Sequence, residues 1–454
     1  MRWSWKQTRE RQIGKDRCKT HETTEPPSAL GRMMYWLYTL GLGAFFLGGL
    51  PFFAAQALLK GKYRRGLSER LGRFPARSGS VSPIWLHAVS VGEVMAATPL
   101  AKELGTRRPD VPLLVSTVTD TGRNVAEQRL PGSQYVFFPL DFGWAVRPAL
   151  STLSPRLVLL TETEIWPNFL RVCRMRGIPV VLINGRISPR SFPRYHLARH
   201  WFGRVLADVR LFCMQSAQDA ERILRCGAPA EKVRVVGNLK YDLPTLREAP
   251  DAGAVRARLG LPFVRRLLVA GSTHLGEEET IVKTFLALAS TRRDLCLLLA
   301  PRHPERVEEV ERLVRNAGLA CVRRSELPAT SLDGAAVILL DTLGELAQLY
   351  AAAVVVFIGG SLIPHGGQNI LEPAAVGRPV VHGPHMGNFT EMRDLFRDAG
   401  AAIQVEGGAS LFERLASLLD DPALADRMGK AGREIVESHR GATRRTADLV
   451  DEFL

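Results

Sequence analysis

Near the start of its regularly patterned part, the chain contains the stretch Ile84-Trp85-Leu86-His87-Ala88-Val89-Ser90-Val91-Gly92-Glu93. It begins as an apolar run typical of a buried strand and ends in a turn, and Val94–Leu104 then has the pattern of a helix. This order predicts an α/β sheet and puts Glu93 in the first helical turn. Because open α/β sheets bind ligands at the carboxyl ends of their strands, Glu93 is a candidate catalytic base.

A purely structural role for Glu93 is also consistent with these residues. Ser90 and Glu93 have the spacing of a capping box, in which the two side chains satisfy the first backbone N–H groups of a helix. The helix dipole favours the ionised carboxylate, which predicts a lowered pKa and a weaker base. The stretch alone leaves both roles open.

Short apolar runs separated by helical patterns continue along the chain. Most of them alternate little between apolar and polar residues, as expected of parallel strands buried on both faces. The first set is Ile84–Val89, Leu113–Val118, Tyr135–Leu140, Leu157–Leu160, Val180–Asn184, Leu211–Gln215 and Val233–Val236. The second set follows a predicted linker at Pro244–Pro262 and is Leu267–Ala270, Cys296–Ala300, Ala336–Leu340, Val354–Ile358, Pro379–Val381 and Ala402–Val405.

Two such sets in 454 residues predict two domains. We expect an α/β fold of two Rossmann-like, doubly wound domains that face each other across a ligand-binding cleft. The predicted boundaries are 1–32 for a disordered leader, 33–59 for a membrane anchor, 60–78 for a basic segment, 79–245 for the first domain, 246–430 for the second domain and 431–454 for a C-terminal helix.

The apolar segment near the N-terminus predicts contact with a membrane. Met33–Leu59 has no charged residue, and as a helix it would be roughly 40 Å long, enough for a hydrocarbon core of about 30 Å. Of the net charge of +14, residues 1–32 carry +4 and residues 60–77 carry +6. Charge that flanks an apolar run suits anionic headgroups better than nucleic acid. Spanning and lying in the interface both remain open, and a signal peptide fits the long run less well.

Two further expectations concern the ends of the chain and its compartment. Translation starting at Met33 or Met34, immediately before the apolar run, is one hypothesis for the leader. The six cysteines are scattered without a Cys-x-x-Cys pair, which is typical of a reducing compartment and favours a cytoplasmic main body.

Polar loops follow several of the predicted strands. Thr161–Asn168 carries Glu162 and a second carboxylate, and Lys240 lies at the end of the last strand of the first domain. In the second domain, the Gly-rich loop Gly359–Pro373 leads into a helix and Arg302 ends a strand, and both features suit a phosphate group. The sequence has no Gly-x-Gly-x-x-Gly, Walker, Asp-x-Asp or His-Glu-x-x-His motif, so we predict neither a dinucleotide nor a metal site.

Taken in order, these motifs resemble the bacterial transferases of 3-deoxy-D-manno-octulosonic acid (Kdo), over roughly residues 34–435. The resemblance rests on His87–Glu93, Glu162–Asn168, Gly237–Asp242, Ala300–Arg306 and Gly366–Glu372. It implies the two-domain glycosyltransferase-B fold and the donor CMP-Kdo. Gln368 and Pro373 depart from the residues of some relatives but leave the expected contact residues in place.

The resemblance also implies residue roles. Glu93 matches the general base, and Glu162 and Lys240 match residues that act in the transition state. Contacts to CMP are implied for Pro301, Arg302, Gly344, Glu345, Leu346, Asn369, Ile370, Leu371 and Glu372. No metal and no cofactor besides the donor substrate is implied.

The activity implied is the inverting transfer of Kdo to a lipid A precursor (lipid IVA) in lipopolysaccharide biosynthesis, at the bacterial inner membrane with cytoplasmic catalytic domains. The basic stretch Lys60–Arg77 would then hold the enzyme near anionic lipid phosphates. Two alternatives remain at this stage: a UDP-sugar-dependent glycosyltransferase or epimerase of the same fold, and a non-catalytic, membrane-tethered nucleotide-binding module.

Overall fold

A computed structural model describes residues 29–60, 65–75, 79–246, 250–328 and 336–454 of the chain. Apart from the N-terminal helix, these residues form two parallel β-sheets of seven strands with helices packed around them. The strands are β1 Ile84–His87, β2 Leu113–Thr117, β3 Gln134–Phe137, β4 Leu157–Thr161, β5 Val180–Gly185, β6 Leu211–Met214, β7 Val233–Val235, β8 Arg266–Thr273, β9 Leu295–Pro301, β10 Cys321–Arg323, β11 Val337–Leu339, β12 Ala353–Ile358, β13 Val380–His382 and β14 Ala402–Gln404.

The helices connect these strands and continue beyond the last one. They are α1 Ala29–Lys60, α2 Leu67–Arg70, α3 Val91–Arg107, α4 Asp120–Arg129, α5 Gly143–Leu153, α6 Pro167–Met175, α7 Phe192–Leu197, α8 Arg199–Leu206, α9 Ala217–Arg225, α10 Ala252–Arg258, α11 Glu278–Ala289, α12 Val307–Asn316, α13 Leu346–Leu349, α14 Leu371–Ala375, α15 Thr390–Asp398, α16 Gly408–Asp420, α17 Pro422–Ser438 and α18 Ala442–Val450.

Each sheet has a point at which its strand order reverses. The first sheet runs β3-β2-β1-β4-β5-β6-β7, and the second runs β10-β11-β9-β8-β12-β13-β14. In the first sheet the chain passes from β1 to β2 on one side and from β4 to β5 on the other. In the second sheet it likewise passes from β8 to β9 on one side and from β12 to β13 on the other. The loops that follow β1, β4, β8 and β12 diverge and leave a crevice, the usual ligand site of doubly wound sheets. Glu93 follows β1 and Glu162 follows β4, so both lie at the first crevice.

The prediction of two doubly wound domains is confirmed, and each predicted strand corresponds to an observed one. One strand was missed, the three-residue β10 at the edge of the second sheet. Only Val322 of β10 is buried, and Cys321 and Arg323 on either side of it are partly exposed, so β10 lacks the apolar run of a central strand.

Two predicted boundaries are wrong. Seven residues of the predicted linker Pro244–Pro262 form α10, whose Val255 packs into the core of the second domain together with Leu259. The C-terminal residues 431–454 do not form one separate helix, because α17 runs through the boundary and α18 packs against α3. Buried side chains of α18 share a core with β1 and β4, so the end of the chain completes the first domain.

The apolar segment forms helix α1, as expected, with Pro51 inside it. Among the described residues, only Gly31–Pro51 is long and apolar enough to cross a membrane, a test that a signal sequence also passes. Residues 1–28 of the predicted leader (1–32) lie outside the described part of the chain. The prediction that the leader is disordered is therefore not tested for those residues.

Part of the predicted lipid-facing basic segment packs on the protein instead. The Arg70 guanidinium donates to the carbonyl of Val118 at 2.6 Å and lies 4.4 Å from the centre of the Phe137 ring. Arg65 pairs with Glu127 at 3.1 Å. Residues 61–64 and 76–78 lie outside the described part of the chain. At least Arg70 is therefore not available to lipid headgroups.

Candidate active site

A cavity of about 320 Å³ opens at the first crevice and receives residues from both domains. The first domain contributes the three residues that were predicted to be catalytic, Glu93, Glu162 and Lys240. The other lining residues of the first domain are Ser90, Gly92, Thr163, Arg186 and Ser188, and the second domain contributes Gly387 and Asn388. The cleft between the domains is thus the place where these carboxylates meet.

Glu93 caps helix α3, which is the structural role that the sequence offered, and its carboxylate also lies on the cavity wall. Its carboxylate accepts hydrogen bonds from the backbone N–H of Val89 at 2.9 Å, from the hydroxyl of Ser90 at 3.1 Å and from the hydroxyl of Thr161 at 2.7 Å. The Ser90 hydroxyl accepts from the backbone N–H of Glu93 at 3.5 Å, which completes a cap on α3. The capping network fixes the carboxylate while leaving it on the cavity wall.

The expected lowering of the Glu93 pKa is wrong. Burial raises the pKa of Glu93 above its ordinary value, and the nearby charge of Glu162 adds to the rise. The hydrogen bonds from Thr161, Val89 and Ser90 oppose this but do not reverse it. Removing a carboxylate from water disfavours its charged form more than the helix end favours it here. A raised pKa makes Glu93 a stronger proton acceptor than a solvated glutamate.

Glu162 and Lys240 form an ion pair on the cavity wall. Lys240 Nζ lies 3.5 Å from Glu162 Oε1, and each side chain is 20% exposed. Glu162 has φ = 52°, a left-handed conformation that is costly for a non-glycine residue and is often found at functional sites. Lys240 does not end β7 as predicted, but lies in a 3₁₀ turn at Leu239–Asp242 after the strand. Asn184 Oδ1 accepts from the N–H of Leu239 and helps to hold that turn.

A third carboxylate, Glu164, stands next to this pair. Burial first and the charge of Glu93 second raise the pKa of Glu164 to about 7. The sequence showed two carboxylates after β4 but assigned no role to Glu164. His87, by contrast, is fully buried against Ser116 and stacks on Phe138, and burial lowers its pKa to about 3. His87 therefore supports the strand and does not reach the cavity.

The predicted donor-binding residues follow the strands of the second sheet. Burial raises the pKa of Glu372, and the Asn369 side chain and the charge of Arg302 oppose that rise, so these three residues lie together. The side chains of Ile370 and Leu371 are buried in the hydrophobic core. Only the backbone of these two residues can contact a ligand.

The remaining predicted contacts, Gly344 to Leu346, precede and begin α13. Gly344 has φ = 84°, which favours glycine there. The Glu345 carboxylate accepts from Arg324 at 3.1 Å and from Thr342 at 2.6 Å. Pro301 is buried at the end of β9, next to the exposed Arg302.

Glu277 organises the Gly-rich loop and was missed from the sequence. Its fully buried carboxylate accepts hydrogen bonds from the backbone N–H groups of His274 at 3.0 Å, Gly360 at 2.6 Å, Ser361 at 2.9 Å and Leu362 at 2.9 Å. The loops after β8 and β12 are thereby joined at the second crevice. A glutamate in a polar run gives no sequence signal for such a contact, because three of its four donors come from a segment more than 80 residues away.

Asn388 connects the Gly-rich loop Gly359–Pro373 with the cavity that contains Glu93. Its backbone N–H donates to the carbonyl of Gly366 at 2.9 Å, and the residue lines the cavity that contains Glu93. Gly366 has φ = 97°, and a Cβ there would meet the Asn388 amide at 2.5 Å. The described residues contain no group of three or more His, Cys, Asp or Glu side chains placed to hold a metal ion.

Two facing Rossmann-like domains with a polar cavity between them define the glycosyltransferase-B fold. Solved structures with this architecture include a glycosyltransferase from Rickettsia africae (13% identity, TM-score 0.55, 83% of this chain and 99% of that chain). The UDP-GlcNAc 2-epimerase from Neisseria meningitidis is similar to the same degree (13% identity, TM-score 0.55, 82% of this chain and 99% of that one). At these identities the similarity shows the fold alone.

Sequence relatives identify the family. The family model described as 3-deoxy-D-manno-octulosonic-acid transferase matches residues 65–243, and a glycosyl transferase-like model matches residues 343–451. The 3-deoxy-D-manno-octulosonic acid transferase of Haemophilus influenzae is 35% identical, covering 89% of this chain and 95% of that protein. The corresponding protein of Bordetella pertussis is 36% identical, covering 94% and 100%. The chain belongs to the Kdo transferase family and is a glycosyltransferase.

Proposed function

We propose that the protein transfers Kdo from CMP-Kdo to a hydroxyl of a lipid A precursor, with Glu93 as the general base. The observation that carries this proposal is the position of Glu93: a fixed carboxylate with a raised pKa on the wall of the cavity between the domains. A base in that position can reach an acceptor hydroxyl from one domain while the other domain holds the donor.

The transfer is a single displacement. Glu93 takes the proton of the acceptor hydroxyl, the acceptor oxygen forms a bond to the anomeric carbon of Kdo, and the bond from that carbon to the CMP phosphate oxygen breaks. The electron pair of the broken bond leaves with CMP, and the configuration at the anomeric carbon inverts. Lys240, held by Glu162, supplies positive charge near the Kdo carboxylate or the leaving phosphate.

The second domain is proposed to bind CMP. In this proposal Arg302, next to the end of β9, supplies a cation to the phosphate, and Glu372 accepts hydrogen bonds from ribose hydroxyls; the proximity of Arg302 and Glu372 supports a shared role. Glu277 supports this site indirectly, because it fixes the Gly-rich loop that leads to Asn369 and Glu372 by accepting from the backbone N–H groups of Gly360 and Ser361.

We further propose that transfer needs no divalent metal and no cofactor. The lack of an Asp-x-Asp motif supports this, because that motif commonly holds a metal–nucleotide complex. An undiminished rate in a chelator is expected. Loss of activity in chelator that Mg²⁺ restores would contradict the proposal.

The protein is proposed to act at the bacterial inner membrane, with α1 as its anchor and the catalytic domains in the cytoplasm. The apolar stretch Gly31–Pro51 and the basic residues on both of its flanks support this location. Separation of membrane and soluble fractions, with and without residues 1–59, tests the anchor.

The decisive experiment is mass spectrometry of a lipid A precursor after incubation with the protein and CMP-Kdo. The expected result is a mass increase of one or more Kdo units, with none when UDP-sugars replace the donor. Conversion of UDP-sugars without Kdo transfer would instead favour the alternative of a UDP-sugar enzyme. CMP binding with no product would favour a non-catalytic module.

A further inference from the structure

A long part of the first domain lacks acidic residues altogether. No Asp or Glu occurs between Glu164 and Asp208, whereas this span contains eight arginines. Residues 78–454 together carry a formal net charge of only +4, so their total charge does not reveal this local excess of positive charge. These arginines belong to a folded domain with defined helices, which distinguishes them from charge in an irregular tail.

Four of these arginines lie on or beside helices α7 and α8. Arg190, Arg194, Arg199 and Arg204 are all exposed, and we call them the arginine face. None of them forms an ion pair with a carboxylate of a described residue, and the Arg199 guanidinium lies 3.4 Å from His196 Nε2. Elsewhere, exposed arginines such as Arg397 are paired, in that case with Asp398 at 3.0 Å. The positive charge of the arginine face is therefore not neutralised by carboxylates of the described residues.

This face is continuous with the catalytic cavity. Arg186 and Ser188, which follow β5, line the cavity that contains Glu93. The Ser188 carbonyl accepts from the backbone N–H of Phe192, so the cavity wall leads directly into α7. One turn later, Tyr195 is close enough to Glu164 for that charge to contribute, after burial, to a raised pKa of the phenol.

An apolar side chain stands among the arginines. Leu197, the last residue of α7, is 88% exposed. A single exposed leucine is common on protein surfaces, but here it is flanked in sequence by Arg194 and Arg199. Guanidinium groups bind phosphates through two parallel hydrogen bonds, and an apolar group beside them suits a hydrocarbon chain.

We propose that the arginine face binds the phosphate-bearing head of the acceptor glycolipid and orients its sugar hydroxyl toward Glu93. The proposal rests on the proposed function, because it assumes an anionic lipid acceptor. Charge complementarity favours this occupant over a neutral one, and continuity with the cavity favours the acceptor over a general membrane surface. Arg190, Arg194 and Arg199 are binding residues in this scheme and take no part in the chemistry.

The test compares two triple variants in neutral detergent micelles. One carries Arg190→Gln, Arg194→Gln and Arg199→Gln, and the control carries Arg414→Gln, Arg427→Gln and Arg444→Gln. The control removes the same charge from exposed positions on the C-terminal helices. Both variants should keep the fold, since exposed substitutions change stability by only about 0.5 kcal/mol.

With the phosphorylated lipid A precursor, the first variant should raise the acceptor KM by roughly 10-fold at low salt. The KM for CMP-Kdo should not change, and the control should resemble the unsubstituted protein. With a phosphatase-treated precursor, or at high salt, the difference between the two variants should disappear.

Three outcomes would overturn the inference: equal acceptor KM for the two variants, an equal loss with the phosphorylated and phosphatase-treated acceptors, or a loss of binding to anionic vesicles with the micellar acceptor KM unchanged. Failure of the proposed function is distinct, because the unsubstituted protein would then form no Kdo product. In that case calorimetric binding of the phosphorylated precursor decides: weaker binding by the first variant alone supports the arginine face, and equal binding rejects it.

Discussion

Replacing Glu93 by glutamine should separate the chemistry of this residue from its capping role. Of the two carboxylate oxygens, Oε2 accepts from the Val89 N–H and the Thr161 hydroxyl, and Oε1 accepts from the Ser90 hydroxyl. The amide oxygen of glutamine can take the place of Oε2. Its NH₂ group can then donate to Ser90, whose hydroxyl hydrogen is free to rotate. The network survives, so we expect the free energy of unfolding to change by less than about 1 kcal/mol.

The rate should respond very differently. A positioned general base accelerates proton transfer by about 10²- to 10⁴-fold, equivalent to about 3 to 5 kcal/mol of activation free energy. The Glu93→Gln variant should lose a factor in that range from kcat. Because the base must be deprotonated and burial raises its pKa, kcat/KM of the unsubstituted protein should fall on the acid side at a pH above that expected for a solvated glutamate.

Ser90→Ala is the matched control. It removes the hydroxyl from the same cap and should lower stability by about 1 kcal/mol, yet it keeps the carboxylate. Its kcat should stay within a few-fold of the unsubstituted value. The assay is the initial rate of Kdo incorporation into the lipid A precursor, with thermal unfolding measured in parallel. A Glu93→Gln protein that is folded and retains more than a tenth of the normal kcat would refute the assignment of Glu93 as the base.

Three further predictions follow from the same contacts. Lys240→Ala should lower kcat by roughly 10²-fold because a positive charge is lost from the cavity. A double-mutant cycle with Glu162→Gln should show coupling between the two substitutions. Additive effects on kcat would contradict the ion pair. Glu277→Gln should lower the free energy of unfolding by about 2 kcal/mol, since the amide cannot accept from all four N–H groups. It should also weaken CMP binding in a calorimetric titration. Unchanged CMP affinity would show that the Gly-rich loop does not contribute to donor binding. The pKa of Glu164 is raised to about 7, so its protonated form contributes stability that is fully present below about pH 4.5 and is lost as the pH rises through 7. In urea unfolding, the stability of Glu164→Gln relative to the unsubstituted protein should therefore be greater at pH 8 than at pH 5. A pH-independent difference would contradict the raised pKa.

Much of the architecture was determined by local sequence patterns. Runs such as Val180–Asn184 are apolar on both faces, and only a strand between two helix layers buries both, so the parallel sheets were predictable. The position of Glu93 after β1 followed from the same reasoning, because a strand–turn–helix order places the turn at the ligand-binding edge. The sequence alone could therefore nominate this residue as a site residue.

The environment of each site residue depended on contacts between distant segments. The position of Glu93 at a helix end predicted a lowered pKa. In the folded protein, Thr161 and Glu162, about 70 positions away, lie next to the carboxylate, and burial raises its pKa. The return of α18 to the first domain was likewise invisible, since its apolar face would suit either core. Glu277 showed no signal because three of its four hydrogen-bond partners follow β12, whereas Glu277 follows β8.

The sequence by itself determined which segments become strands and helices and which polar groups stand at the strand ends, because those properties depend on the periodicity of neighbouring residues. Only the tertiary structure decided which of these groups meet, how far they are removed from water and which arginines are left without a carboxylate. Desolvation and charge pairing act through space, and the chain positions of Glu93, Glu162 and Lys240 do not contain the distances between them.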